Sequence, residues 1–358
     1  MAIMKDMNDD FVWGEPERRA ALGDVAYLRE LGARLADQHK DATARARTYG
    51  DRLAHVIRVL ALTPGRDSLV ELLRLLDEKR PSSSASGLAS LLAEHHRAGD
   101  LAVTVFDHSG WCADELSSCL FHELLLRGAD MTGCRAPRSS HTLDWLPRQL
   151  RDFEAGAKFP TRSVNGSAGG FWTRMPTLGR VDPATPRTTE RSALRNSATV
   201  EVHESIVSAP HAGEWGDCDA WVFELEGALA PELVPALLPT LPVSCTEVGP
   251  TDRFEIALSG LGEVWGLLFA AASMGGVYGG GVGGAWGRMW TWRSLAGLSG
   301  APMWADAQEV ERHARQSTWF RFEADSAWFH NEIGCDFGIA ALSPDRRRLA
   351  VLAATDTD

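Results

Sequence analysis

The densest group of chemically capable side chains lies near the carboxyl end of the chain. Within residues 325–336 it contains Asp325, His330, Glu332 and Asp336. A histidine beside carboxylates can perform acid–base catalysis, because its pKa lies near neutrality. We therefore expect His330, Glu332 and Asp336 to be catalytic and Asp325 to contact a ligand. The competing interpretation is a polar helix cap beside core aromatic residues.

A glycine run followed by a tryptophan-rich helix forms a second candidate. The run has seven Gly in ten residues (275–284), and its GxGxxG pattern follows almost from that composition alone. Glycines let a backbone approach a ligand closely, and an Arg next to a Trp can hold an anionic or aromatic ligand. A structural turn and ordinary core packing are the alternatives. The residues we expect to bind a ligand here are Gly281, Gly284, Arg288, Trp292 and Arg293.

His122 and Glu123 begin an HExxH-like pattern that fails, because Leu stands at position 126. Cys112 and Cys119 lie near them at helical spacing. Both cysteines fall on an apolar stripe, where a cysteine acts as a small hydrophobic residue. We predict no metal site here and leave open whether this helix does more than pack. The sequence identifies no cofactor.

The elements that must position these residues differ between the two halves. In residues 1–155, leucines at three- and four-residue spacing predict an all-α domain, with Pro16 near the start of one helix and Ser68 with Glu71 as a capping box. Leu101–Phe106 fits either a strand or a buried helical turn. The second half mixes alternating strands with helices, so the predicted fold class is α+β. Its predicted strands are 198–206, 219–225, 253–258, 319–322 and 349–353, and its predicted helices are 231–241, 264–273 and 285–298.

Charge divides the chain in the same way. Residues 196–358 contain 9 Lys+Arg and 22 Asp+Glu, whereas residues 131–195 contain 11 basic and 5 acidic residues. We predict a helical domain at 1–155, a basic Pro/Gly/Ser-rich connector at 156–195 and an acidic α+β domain at 196–358. The net charge of −12 argues against a dedicated nucleic-acid-binding protein, which needs cations to neutralise phosphates.

Between Glu263 and Arg288 lie 24 uncharged residues, so a membrane span must be considered. Nine of the 24 are Gly, concentrated after Met274, and the apolar run before them is short, whereas a span needs about 20 mostly apolar residues. The pattern favours a buried helix, a glycine loop and a second helix. With no secretion signal visible at the start, we expect a cytoplasmic protein.

Three stretches resemble a family of actinomycete proteins to which no activity is assigned. They are FHELLLRG (121–128), GGVYGGGVGGAWGRMWTWRSLAGL (275–298) and WFHNEIGCDFGIAALSPDRRRLAVLAATDTD (328–358). The resemblance implies an intracellular actinomycete protein of about this length and supplies no catalytic residues.

Two functional hypotheses follow. In the first, the C-terminal domain binds or converts a small molecule, as an enzyme of specialised metabolism could. In the second, the helical domain offers a groove to a protein partner in a regulatory or defence role. The oligomeric state stays open.

Overall fold

Leucine, valine and alanine recur every three to four residues through the first half of the chain, and helices form there. The computed structural model describes residues 11–41, 46–80, 85–110, 113–132, 141–163, 166–168, 179–180, 194–249, 252–276, 279–329 and 336–356. By internal contacts the chain divides into two units. The helical unit contains Met1–Leu124, Ala129–His141 and Arg162–Ser167, and the C-terminal unit contains Leu125–Gly128, Thr142–Thr161 and Ala168–Asp358.

The first half of the described chain is helical, as its leucine stripes predict. Leu28, Leu60, Leu69 and Leu92 are completely buried and belong to four different helices, so the stripes face a shared core. Gly23, with φ +75°, separates the first two helices, because this left-handed turn suits glycine. The helices are α1 (Glu15–Ala21), α2 (Val25–Asp41), α3 (Ala46–Leu62), α4 (Arg66–Lys79), α5 (Ala85–His95), α6 (Ala98–Thr104) and α7 (Ala113–Leu126).

Two local predictions in this half need comment. The open alternative at Leu101–Phe106 resolves as helix, since α6 runs through Thr104. The capping box at Ser68 is wrong, because α4 begins at Arg66 and the Ser68 hydroxyl instead donates to the carbonyls of Thr63 and Gly65. A Ser one turn into a helix satisfies upstream carbonyls as readily as it caps.

The C-terminal unit combines helices with an antiparallel sheet, which confirms the α+β prediction for the chain. Its longer helices are α8 (Val200–Ala212), α10 (Leu261–Met274), α11 (Gly283–Ser299) and α12 (Ala307–Gln316); α9 (Val234–Leu237) is a single turn between 3-10 turns. The strands along the chain are β1 (Thr161–Ser163), β2 (Gly166–Ala168), β3 (Gly179–Arg180), β4 (Asp217–Glu224), β5 (Phe254–Ser259), β6 (Thr318–Ala324), β7 (Phe337–Leu342) and β8 (Arg348–Thr355).

The main sheet has the order β3-β5-β6-β7-β8-β4, and all five pairings are antiparallel. Strand β4 is the last in this order, and beside it Ser197 N donates to Val222 O at 2.8 Å while Asn196 Oδ1 accepts from Val222 N at 3.0 Å. The residues just before α8 therefore cover part of the β4 edge.

One face of the sheet carries an aromatic and aliphatic core. Phe254 and Phe322 stack there at 5.8 Å, beneath the turns of residues 231–246. Gly338 makes the stack possible, because a Cβ at that position would lie 2.4 Å from the Phe322 ring. Phe329 is also buried in this core, so the chain leaves the end of β6 on this side.

Helices α8, α10 and α11 cover the other face of the sheet. The prediction of an edge strand at 198–206 is wrong, since α8 occupies Val200–Ala212. Three β-branched residues at even spacing fit a strand, but Thr199 caps a helix by accepting from Val202 N, and burial of Ile206 and Ala209 follows helical spacing.

The uncharged stretch between Glu263 and Arg288 folds as α10, a glycine loop and α11, as its pattern predicts. Within the part of the chain that the structure describes, no helix combines the length and the apolarity needed to cross a membrane.

Candidate ligand site at the acidic end of the sheet

Antiparallel pairing brings acidic residues from five strands to one end of the main sheet. The starts of β4, β5 and β7 lie there beside the ends of β6 and β8. The carboxylates belong to Asp217, Glu255, Glu323, Asp336 and Asp356. We call this the acidic end. Carboxylates gathered in this way repel one another unless a cation or a proton joins them.

Arg321 is a buried basic side chain on the helix-facing side of β6. It is paired in register with Ala257 on β5 and Ile339 on β7, and it is only 3% exposed. Its Nε and Nη2 atoms are buried, and no acceptor in the described part of the chain bonds to them. Because removing a cation from water costs several kcal/mol, a buried guanidinium normally has a carboxylate partner.

Two carboxylates influence Arg321 without satisfying these two nitrogens. Burial lowers the pKa of Arg321, and the negative charges of Glu323 and then Glu263 oppose that shift. Glu263 instead accepts from Gly260 N at 3.0 Å, at the start of α10. Glu323 lies 3.8 Å from a guanidinium nitrogen of Arg253. The buried fork of Arg321 therefore lies between carboxylates that have other partners.

Glu323 is the electrostatic link between Arg321 and the rest of the acidic end. Burial raises the pKa of Glu323; Arg253 and Arg321 lower it, and Glu255 and Asp336 raise it. A carboxyl group with a raised pKa holds its proton closer to neutral pH, so it can donate a hydrogen bond or act as a general acid. Sites with such shifts are candidates for function.

Side-chain exposure increases from Arg321 towards the C-terminal end of β6 and the residues that follow it. Glu323 is 22% exposed and Asp325 is 45% exposed. Arg321 and Glu323 are two apart within β6, so they share its helix-facing side, and Asp325 follows the end of the strand. Together they form a polar stripe, defined here as Arg321, Glu323 and Asp325, that runs from the interior to solvent.

The chain matches the model of a family of unknown function (DUF6183) over residues 10–358. The chain belongs to this family. No curated protein and no solved structure matches it significantly. Membership in DUF6183 therefore agrees with the resemblance seen in the sequence and brings no activity with it.

The predicted ligand residue Asp325 lies at the acidic end. Its backbone N donates to Arg253 O at 2.9 Å, and its carboxylate accepts from Arg253 N at 3.3 Å and Nε at 3.4 Å. Arg253 also lies 3.6 Å from Glu255. The Arg253 guanidinium therefore lies close to three carboxylates, and Asp325 is exposed beside it.

The predicted catalytic residue Asp336 also lies at this end, where its Oδ1 accepts a hydrogen bond from the Thr355 hydroxyl at 2.5 Å. Asp356, which follows Thr355 in the chain, accepts a hydrogen bond from Gly216 N at 3.2 Å. Asp356 lies so close to Gly276 that a Cβ there would be 2.0 Å from its Oδ2. The structure thus brings the glycine loop and Asp336 to the same region. His330 and Glu332 lie outside the described residues.

Gly281 and Gly284 pack within the protein. Gly281 has φ +56°, and a Cβ on it would meet Ser273 O at 2.3 Å, so it forms a tight turn against the end of α10. Gly284 is buried in the first turn of α11. Their positions agree with the structural alternative for the glycine run, while their ligand-binding role stays a prediction.

Arg288 and Trp292 converge on Glu154, away from the polar stripe. Arg288 and Glu154 are fully buried, and Nε and Nη2 of Arg288 donate to Oε1 and Oε2 of Glu154, each at 2.7 Å. Trp292 Nε1 donates to the same Oε1 at 2.8 Å. Arg293 is half-buried, with its guanidinium carbon 5.4 Å from the centre of the Trp145 ring. In this structure Arg288 and Trp292 fix residues 147–154 to α11.

The remaining candidates do not form a convincing site. In α7, Glu123 is fully buried and accepts from the Ser90 hydroxyl at 2.6 Å, while Cys119 is buried as its apolar stripe predicts. No cluster of three metal-ligating side chains occurs within the described ranges. A surface groove of about 680 Å³ runs beside α12. Its arginines pair with Glu311, Glu309 and Asp152.

The sequence pattern identified Asp325 and Asp336, which lie at this end of the sheet, but not Arg321 and Glu323. Both lie in the stretch TWFRFEA, of which the sequence analysis used only the strand pattern. The available signal was an arginine flanked by two phenylalanines in a strand expected to be buried. A charge in that setting needs a partner.

Proposed function

We propose that the C-terminal unit binds a small molecule on the helix-facing side of the sheet. The site comprises the polar stripe together with Asp336. The observation that supports it is the buried guanidinium of Arg321, whose Nε and Nη2 have no acceptor among the described residues.

The physical argument is that a ligand would supply the missing acceptor. An isolated buried charge destabilises a fold by several kcal/mol, and proteins retain such a group where it has a use. The polar stripe leads from this group to solvent, so a small molecule could reach it without unfolding the sheet. Binding sites commonly combine apolar walls with few, well-placed polar groups.

Catalysis is a further part of the proposal. The charge of Asp336 raises the pKa of Glu323, and His330 and Glu332 belong to the sequence between β6 and β7. A carboxyl group with a raised pKa can move a proton on a bound ligand. We keep His330, Glu332 and Asp336 as the proposed acid–base residues.

The experiment is a ligand screen by thermal denaturation with three proteins. The wild type, Arg321→Met and the control Arg312→Met are compared; Arg312 is 54% exposed and pairs with Glu309 on its own helix. We expect some compounds to raise the Tm of the wild type and of Arg312→Met, and to leave that of Arg321→Met unchanged. Equal responses in all three proteins would place the ligand elsewhere.

The proposed setting is the cytoplasm of an actinomycete. Among the described residues, Cys119, Cys218 and Cys245 are cysteines outside any disulfide, which suits a reducing compartment. A negative overall charge makes nucleic acid an unfavourable partner.

The alternative is that the helical unit binds a protein. Its start exposes Val12, Trp13 and Leu22, which are 65%, 61% and 68% exposed. Exposed apolar side chains gathered near one another are typical of interaction surfaces. Replacing Trp13 with Ala should then abolish co-purification of a partner while leaving the Tm and the ligand response unchanged.

A further inference from the structure

We infer that the ligand is a small carboxylate with a single negative charge, held side-on by Nε and Nη2 of Arg321 and hydrogen-bonded by Glu323. This inference rests on the proposed function, because it names the class of ligand for the same site.

Arg288 shows what this kind of nitrogen pair binds inside the same unit. Its Nε and Nη2 hold the two oxygens of Glu154 at 2.7 Å each, in a fully buried setting. Arg321 presents the same two nitrogens, also buried, without an acceptor in the described chain. Two parallel N–H donors match the two oxygens of one carboxylate, which explains why such pairs are bidentate.

The surrounding charges favour one negative charge over two. Glu323 and Glu263 act on the Arg321 guanidinium, and Glu255 and Asp336 act on Glu323. A doubly charged anion would be repelled by these carboxylates more strongly than a monoanion. A neutral or cationic ligand would leave the buried guanidinium without a counter-charge.

The setting of Arg321 favours a small ligand. Its in-register neighbours are Ala257 on β5 and Ile339 on β7, and helices cover this face of the sheet. Exposure increases from Arg321 to Asp325, so we expect a ligand to enter along the polar stripe. Because the face is covered, the body of the carboxylate must be short.

Protonation of Glu323 should make the affinity for the ligand depend on pH. Because burial raises its pKa, Glu323 keeps its proton to a higher pH than an ordinary glutamate. The protonated form donates a hydrogen bond to a bound carboxylate, and the ionised form repels it. Arg253, Arg321, Glu255 and Asp336 are the charged groups that act on Glu323. Affinity should thus be higher at acidic pH and fall as Glu323 ionises.

The test compares matched probes on the full chain. Acetate and benzoate are titrated against acetamide, benzamide and inorganic phosphate, and binding is followed by Tm and by the NMR signal of the Arg321 side-chain Nε–H. The Arg321→Lys variant assigns that signal by removing it. Arg321→Met removes the charge, Glu323→Gln keeps a neutral hydrogen-bond donor, and Arg312→Met is the control.

We expect the two carboxylates, and not their amides, to raise the Tm and shift the Arg321 signal. Binding should be absent in Arg321→Met and at least about tenfold weaker in Arg321→Lys, since a bidentate contact is worth that much. Glu323→Gln should bind acetate with little dependence on pH, and Arg312→Met should behave as the wild type does.

The failures of the two proposals are distinguishable. If phosphate or the amides bind best and this binding depends on Arg321, the carboxylate inference is overturned and the binding site remains. If no probe or library compound binds in a way that depends on Arg321, both the proposed binding site and the carboxylate inference are overturned. Should Arg321→Met fail to fold, Arg321→Lys and Glu323→Gln decide the question with the same probes.

Discussion

Three arginines in the C-terminal unit, two buried and one half-buried, show how differently one side chain can be used. Arg288 binds a carboxylate from another segment, and Arg348 donates to the Leu298 and Gly297 carbonyls at 2.9 and 2.8 Å, where α11 ends. A cation at a helix carboxyl end is favourable because unpaired carbonyls point there. Arg321 has neither kind of partner at Nε or Nη2. That contrast singles it out as a group with a role beyond folding.

At the residue scale, we predict a large effect from neutralising Glu154. The Glu154→Gln substitution leaves the fully buried guanidinium of Arg288 without its counter-charge, which typically costs about 3–5 kcal/mol. Urea unfolding measures this loss. The control is Asp152→Asn, which removes an exposed pair with Arg315 and should have a much smaller effect. Equal losses in the two variants would show that the buried pair contributes no more than a surface one.

At the element scale, the glycine loop is best understood through what its backbone must avoid. Gly279 lies where a Cβ would be 2.2 Å from Gly213 O, and Gly276 faces Asp356. The loop therefore packs against the turn between α8 and β4. A residue with a side chain at these positions would separate the two segments.

We predict that Gly281→Ala destabilises the C-terminal unit and that Gly280→Ala does not. Alanine at 281 would need φ +56° and would approach Ser273 O, whereas a Cβ at 280 meets nothing within 4 Å. The expected loss at 281 is about 1–3 kcal/mol, from strain and overpacking together. Thermal melts of the two neighbouring variants measure it. A loss confined to position 280 would contradict the packing described here.

The residue just after helix α5, His96, should make the protein sensitive to acid. Burial lowers the pKa of His96 below its usual value of 6.5, against the opposing effect of the contact between its Nε2 and Ala61 O at 2.8 Å, so the neutral ring is favoured. The unfolded chain then binds the proton more readily. The stabilisation that neutral His96 gives to the folded state is complete above pH 6.5. It is lost as the pH falls towards the folded-state pKa of His96.

We therefore expect the free energy of unfolding to decrease between pH 7 and pH 5. The decrease should be smaller in His96→Gln, and His95→Gln serves as its neighbouring control. Urea titrations at several pH values provide the measurement. A pH profile that His96→Gln leaves unaltered would remove His96 as the cause.

Much of the fold follows from local patterns, and the errors have physical causes. The leucine stripes predict α3 and α4, and alternation predicts β4, β5 and β6, because one face of each element is buried. The strand prediction at 198–206 is wrong because valines at even spacing suit a strand, whereas Thr199 is a helix cap that this spacing does not reveal. The acidic end could be anticipated from Asp325 and Asp336, but the state of Arg321 could not. Only strand register shows which groups surround it.

At the scale of the whole molecule, the limits of the two parts deserve a direct test. Residues 142–161 belong by contact to the C-terminal unit, where Glu154 pairs with Arg288. The proposed acidic domain of residues 196–358 lacks Glu154. The negative charge of that half, 22 acidic against 9 basic residues, should keep a folded fragment in solution.

We predict that a fragment of residues 142–358 melts cooperatively and that one of residues 196–358 does not. The shorter fragment leaves Arg288 and Trp292 without Glu154, so it has a buried charge and an uncovered indole. Circular dichroism melts and size-exclusion chromatography distinguish the two outcomes. Equal stability of both fragments would favour the boundary drawn from sequence at residue 196.

The strip of backbone beside β4 has a consequence for handling the protein. Asn196 and Ser197 bond to Val222, which would otherwise offer its N–H and C=O to any passing strand. Exposed strand edges recruit other chains into intermolecular sheets. A proteolytic cut that released these two residues would therefore make the protein aggregate as its concentration is raised, although its core would be intact.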